Sequence, residues 1–209
     1  FEHVMNVIEA EQVQDVIVQF GGQTAINLAE SLEAAGVNLL GTSFDIVDQL
    51  EDRARFYPLL QKLSIPHVPG ETAENQGQLL SYAEKMDFPV LIRPSYVIGG
   101  SGMTIYESMD ELKAGTEECE YPILIDKYLP GKEAEIDLIS DGENILVPLI
   151  AEHIEKAGVH SGDSMACMPP RTLSEGVKAK IVEYGEKIAK ELAYKGLMNI
   201  QFIIKDIDS

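Results

Sequence analysis

Three segments of this 209-residue chain, and one isolated side chain, gather the residues that could do chemistry. The first segment is RPSYVIGGSGMTI, residues 93–105. There an apolar run ending at Ile92 delivers Arg93 and a proline, and then Gly99, Gly100 and Gly102. A glycine-rich hairpin between two strands can lay backbone N–H groups over phosphate oxygens, because no Cβ blocks the approach. It is not a Walker loop, which needs G-x-x-x-x-G-K-[ST] before a helix, nor a dinucleotide fingerprint. Alone, it reads equally as a flexible hairpin tip. Arg93 tilts the balance, because it sets a cation beside whatever the loop covers.

Residues 127–133 form the second segment. Exposed backbone at Tyr128 and Leu129 could read an adenine edge, and the Glu133 carboxylate can accept from both vicinal hydroxyls of a ribose. An amphipathic strand with its acids in solvent fits the same spacing. The third segment is Gly158-Val159-His160-Ser161 with Asp163 and Ser164. A histidine in such an irregular loop is more often functional than one on an apolar face, although a plain surface role also fits. Gln201 is the isolated side chain, polar within LMNIQFII. It reads as a metal or phosphate contact, or as a residue on the solvated face of an edge strand shared with Asn199. His3, His67 and His153 take structural roles by default. The sequence contains no defensible Ser/His/Asp triad and no zinc spacing.

Composition narrows the partners. Against 35 acids stand 16 bases, a net charge of −19. That balance argues against nucleic acid as a partner, because phosphate contacts need clustered Lys and Arg. Any bound polyanion must be held by a few placed cations, backbone N–H groups and metal ions. No apolar run approaches the roughly 20 residues that cross a bilayer, and no secretory signal pattern is visible, so a cytoplasmic protein is expected. Cys119 and Cys167 read as two free thiols in a reducing compartment. Phe1 in first place marks the chain as an expected fragment.

The elements that must position these residues fall into two textures. Residues 1–50 read as a partial Rossmann-like layer. A strand over 15–20 runs into Gly21-Gly22, and a helix capped by Thr24 carries Ile26, Leu28, Ala29 and Leu32 on one face. Gly36 stops it before a second strand over 37–41. That order implies a parallel sheet, expected to lack strands on its N-terminal side. From residue 51 the expectation is a helix over 52–63, an extended stretch over 65–70, a helix over 76–86 and strands flanking the glycine loop. A helix capped by Ser108 follows over 109–117, with strands over 122–129, 133–140 and 145–151 turning at Asp141-Gly142. Residues 158–170 read as irregular. Ser174 opens the longest helix, ended by Lys195-Gly196, and a last strand covers 197–206. The predicted class is α/β (α+β).

Five phrases carry a resemblance: FGGQTAINLAESLEAAGVNLLGTS, EDRARF, RPSYVIGGSGM, EHIEKAGVHSGDS and GLMNIQF. Together, in this order and over essentially the whole chain, they resemble the large chain of carbamoyl-phosphate synthase, within the ATP-grasp superfamily. RPSYV and AGVHSGDS look like its C-terminal synthetase half. The resemblance implies an ATP-grasp domain over 51–209, with a lid subdomain at 68–128, preceded by a partial pre-ATP-grasp domain over 1–50. It implies phosphorylation of carbamate by ATP with Mg²⁺ or Mn²⁺, serving arginine and pyrimidine synthesis, and a glutaminase small subunit as partner.

By the same resemblance Arg53 and Arg93 are ATP-contacting arginines, and Gly99 and Gly100 belong to the closing loop. Lys127 and Leu129 contact adenine, and Glu133 holds the ribose. Gly158, Val159, His160 and Ser161 form a nucleotide-site loop, with His160 grouped with the two arginines in catalysis, and Gln201 is a metal ligand. The family's E-V-N-P-R phrase, with its main metal ligands, is expected beyond Ser209. The 209 residues alone are therefore expected to bind ATP weakly without turning it over. Another ATP-grasp carboxylate ligase and a non-catalytic nucleotide sensor are the alternatives; GVHSGDS and FGGQTA weigh against the first.

Overall fold

The computed structural model describes residues 1–94, 103–157 and 164–205. Two compact units divide the chain. One holds Phe1–Pro66, Ile136–Ile150 and Glu175–Ile200, and the other His67–Glu135, Ala151–Ser174 and Gln201–Ser209.

The first unit opens with α1 (Glu2–Glu11), β1 (Asp15–Val16), a 3-10 turn at Gln19–Gly21, α2 (Gly22–Ile26), α3 (Ala29–Ala34) and β2 (Asn38–Leu39). β1 and β2 pair in parallel, Asp15 opposite Asn38, as the β-α-β order predicts. The apolar face of α3 closes on this pair through a core of Val18, Ala29, Leu32 and Val37, against which Met5 and Ile8 of α1 pack. Three details differ from the sequence expectation. The strands are two residues long, α1 was not foreseen, and the single helix is two short ones. Thr24 caps neither of them, because the chain turns at Gly22 (φ +63°) and the helix begins ahead of it. Then follow α4 (Phe44–Glu51) and α5 (Arg53–Lys62), the latter capped by Asp52, whose carboxylate accepts from the Ala54 amide at 2.8 Å.

The second unit contains β3 (Gly70–Ala73), α6 (Gln76–Met86), β4 (Val90–Pro94), β5 (Thr104–Tyr106), α7 (Met109–Gly115) and β6 (Ile123–Lys127). Its strands form one antiparallel sheet in the order β3-β6-β4-β5. α6 and α7 start where short polar caps end the extended chain: Asn75 accepts from the Gln78 amide and Ser108 from the Glu111 amide. Both helices cover one face of the sheet. Leu79, Ala83 and Leu112 meet Val90, Ile92, Ile123 and Ile125 there, all at most 4% exposed. This packed base holds the ends of β4 and β6 in place.

A further sheet has the order β10-β7-β8-β9, from β7 (Lys132–Asp141), β8 (Ile145–Lys156), β9 (Ala166–Cys167) and β10 (Lys195–Ile204). Between β7 and β8, Asp141 accepts from the amides of Glu143 and Asn144 and from the Asn144 side chain. Those bonds, the Asn144 side chain's foremost, lower its carboxyl to about 2. β8 outruns the expected end at 151, and part of the segment expected to be irregular is β9, for one reason. β9 supplies β8 with partners, Glu152 facing Cys167 and His153 facing Ala166. α8 (Glu175–Glu191) ends before the predicted Lys195-Gly196 stop, and it crosses the β7 segment of its unit at Gly185. A Cβ there would stand 2.5 Å from Ile136 Cδ1, so glycine permits the close crossing. Among the described residues no helix is long and apolar enough to cross a membrane.

Candidate functional site

β4 and β6 place the first part of the site. Their register sets Val90 opposite Lys127 and Arg93 opposite Leu124. From the end of β4, Arg93 reaches diagonally to Asp126 on β6, Nη2 to Oδ2 at 2.6 Å. The Asp126 side chain is 7% exposed and that of Arg93 37%, so the carboxylate is locked away while part of the guanidinium faces outward. Arg93 Nε is buried and, among the described residues, has no hydrogen-bond partner. A buried carboxylate orienting a partly exposed arginine is a fixed, forked donor for an anion.

Beyond β6 the chain runs through Lys127, Tyr128 and Leu129 into the Pro130-Gly131 turn. The Lys127 amide donates to the Pro69 carbonyl at 2.9 Å and the Tyr128 amide to that of Pro89 at 3.1 Å. Lys127 Nζ donates to the Phe88 carbonyl at 3.3 Å, so its side chain braces the neighbouring strand. Among the described residues, nothing accepts from the Leu129 amide. It is therefore the first backbone donor after β6 with capacity to spare.

Alternation along β7 and β8 sorts the charged groups onto two faces. On one face Glu133 and Glu135 flank His153, which is 4% exposed: Nδ1 lies 3.5 Å from Glu133 Oε2 and Nε2 3.5 Å from Glu135 Oε1. Ser164 Oγ is 3.2 Å from the same Nδ1. The imidazole is thus wedged between two carboxylates, one of them the sequence-predicted ribose group.

On the other face stands Glu152, its side chain 5% exposed, and the residues around it form a closed set. Lys132 Nζ donates to it at 2.8 Å, the amides of Arg171 and Thr172 at 2.8 and 2.9 Å, and the Thr172 hydroxyl as well. Burial by itself would raise this carboxyl. The four donors, Lys132 foremost, outweigh burial and hold it down at about 2.

Of the sequence-predicted residues, Arg93, Lys127, Leu129, Glu133 and Gln201 fall in the second unit, and Arg53 opens α5 in the first. Gln201 is exposed on β10, its amide oxygen available to a hard cation. Among the described residues no group of three or more His, Cys, Asp or Glu could hold a metal. Gly99, Gly100, Gly158, Val159, His160 and Ser161 lie outside the described residues. Sequence reasoning passed over Glu152 and gave His153 only a structural role by default. The available signal was a pair of adjacent ionisable residues closing the otherwise apolar run ILVPLIA.

Comparison with known proteins adds the lineage. The family model described as carbamoyl-phosphate synthase L chain, ATP binding domain, matches residues 52–209. That of the carbamoyl phosphate synthase preATP-grasp domain matches residues 1–49. The arginine-specific carbamoyl phosphate synthase large chain of Geobacillus stearothermophilus is 59% identical over 207 residues, covering 98% of this chain and 20% of that protein. Its namesake in Bacillus subtilis (strain 168) is 53% identical over 206 residues, covering 97% and 20%. This chain therefore spans about a fifth of the length of the curated relatives it matches.

Among solved structures, the biotin carboxylase domain of Hydrogenobacter thermophilus 2-oxoglutarate carboxylase, in complex with MgADP, ADP and bicarbonate, superposes with a TM-score of 0.80 at 19% identity. It covers 98% of this chain and 48% of that one. Biotin carboxylase from Campylobacter jejuni in its β-γ-ATP complex gives a TM-score of 0.75 at 18% identity, over 97% and 48%. At such identities the likeness carries the fold alone, an α/β arrangement of the ATP-grasp kind.

Proposed function

The chain belongs to the carbamoyl-phosphate synthase large-chain family, and from that premise we propose that it forms the ATP-binding part of the half that phosphorylates carbamate. In that reaction a carbamate oxygen attacks the γ-phosphorus in line. The new P–O bond forms as the bond to the β-phosphate oxygen breaks, and carbamoyl phosphate and ADP result. The product feeds arginine synthesis, which the relatives' names favour, and pyrimidine synthesis. The full protein works in the cytoplasm with a glutaminase subunit as its ammonia source. Residues 1–50 serve as the pre-ATP-grasp domain and 51–209 as the ATP-grasp domain, with 68–128 as lid subdomain.

One observation carries this reading. Lys127 stands opposite Val90 and Arg93 three residues further along β4, roughly 10 Å of strand, about a nucleotide's reach from base to phosphates. The base sits at the backbone of Lys127 and Leu129, the ribose on Glu133 and the phosphates toward Arg93; by the family resemblance Arg53 is a further ATP-contacting arginine. By the same resemblance Gly99 and Gly100 belong to the loop that closes on the phosphates, and Gly158, Val159, His160 and Ser161 to the nucleotide site. Gln201 would be this chain's ligand to a Mg²⁺ or Mn²⁺ ion, which when bound would supply charge neutralisation at the transferring phosphoryl group. What the chain itself contributes is positioning and fixed positive charge.

Glu133→Gln in the full-length chain tests the assignment. KM for ATP should rise about ten-fold, the scale of one charge-assisted hydrogen bond. Preference for ATP over 2′-deoxy-ATP should fall with it, because the amide no longer accepts as strongly from the ribose hydroxyls. Unchanged discrimination between the two nucleotides would remove Glu133 from the ribose site.

A further inference from the structure

The turn that follows the adenine-reading backbone is tied down at two points. Tyr128 Oη donates to the Ala157 carbonyl at 3.1 Å, and the Ala157 amide donates back to the Gly131 carbonyl at 3.0 Å. Gly131 itself has no room for a side chain, since a Cβ would lie 2.5 Å from the Ile204 carbonyl oxygen. Leu129 is thus held between a residue fastened to Ala157, just past the end of β8, and a glycine pressed on β10.

We propose that Tyr128 is a positioning residue for the nucleotide, its phenol hydroxyl fixing the peptide plane from which the Leu129 amide points at the base. The inference rests on the nucleotide reading of this site. Its physical core is the economy of donors. The Lys127 and Tyr128 amides are spent on Pro69 and Pro89, so base recognition falls to Leu129. Because N1 of adenine accepts a hydrogen bond whereas N1 of guanine carries a proton, a backbone N–H held in one direction favours adenine. Slackening the turn blurs that distinction without touching the reacting atoms.

The test is Tyr128→Phe in the full-length chain, which keeps the ring and deletes only the hydroxyl. ATP formation from ADP and carbamoyl phosphate, the reverse of this half-reaction, isolates the site. KM for ADP should rise about three- to ten-fold with kcat near wild type. The preference for ADP over GDP should drop by a similar factor. Nucleotide-free melting checks that the fold persists, and Tyr128→Leu serves as a second variant where the first fails to fold.

A wild-type KM and ADP/GDP preference in a folded variant overturns the proposal, as does a loss confined to kcat. Glu133→Gln separates the two failures. If it shifts ribose discrimination while Tyr128→Phe changes nothing, the positioning role alone falls. If neither variant alters nucleotide selectivity, the site reading falls with it.

Discussion

Arg93→Met in the full-length chain should lower kcat/KM for ATP in carbamate phosphorylation by about 10²–10³-fold, the usual consequence of deleting one preorganised donor to a developing charge. The expectation follows from how Arg93 is held. Asp126 is almost fully buried and fixes one edge of the guanidinium at 2.6 Å, so the outward edge is presented with little residual freedom. In a chain of net charge −19 such a cation is the local exception that lets a polyanion approach. Arg93→Lys keeps the charge and loses the fork, so it should recover only part of the rate.

Asp126→Asn should behave differently, with a loss of stability as well as rate, because a buried ion pair broken on one side costs about 3–5 kcal/mol. Steady-state kinetics combined with urea unfolding separate these outcomes. A Met variant within two-fold of wild type would take Arg93 out of the phosphate site.

Glu152→Leu should be clearly destabilising, although it lies outside the apolar core. It removes the shared acceptor of Lys132, the Thr172 hydroxyl and two backbone amides, groups that sit on partly or fully exposed residues around the buried carboxylate. About 1–3 kcal/mol is expected, a sizeable share of the 5–15 kcal/mol typical of a folded domain. The pH dependence has a definite sign. The folded-state carboxyl titrates at about 2 against an ordinary 4.5. Its contribution is therefore complete above pH 4.5 and is lost as the pH falls from there through 2. Glu152→Gln, which cannot titrate, should be less stable at pH 7 and should flatten the acid limb of the stability curve. Denaturant melts between pH 7 and pH 3 check this; an acid limb as steep in the Gln variant as in the wild type would contradict it.

The second unit was the more legible in sequence. Helix α6 fell on its predicted residues, because Asn75 caps it and Leu79 and Ala83 lie on one face. The antiparallel strands β4, β6 and β7 followed from alternation and turn residues. The first unit was read less well. The apolar run at 15–20 looks like a strand throughout, yet only Asp15 and Val16 find a partner, because strand length is set by neighbours that local pattern does not reveal. α1 and α4 were missed, and no residue of either is fully buried.

The same distinction runs through the site. Arg93 and Glu133 were singled out in sequence by residue type, while their spacing left a plain strand reading open. His153 and Glu152 draw their meaning from cross-sheet partners twenty residues away in sequence, at Glu133 and Lys132. Alternation tells which residues share a face and says nothing of which strand lies beside them.

The segment around Arg171 and Thr172 belongs to no helix or strand, yet both of its amides end on a single buried carboxylate. By hydrogen exchange this stretch should behave as part of the sheet. Its two amide protons should persist as long as those inside β8, since releasing either requires Glu152 to leave its pocket. A deuterium-labelling map would then find a slow island within an irregular stretch, and the slowness would vanish in Glu152→Leu.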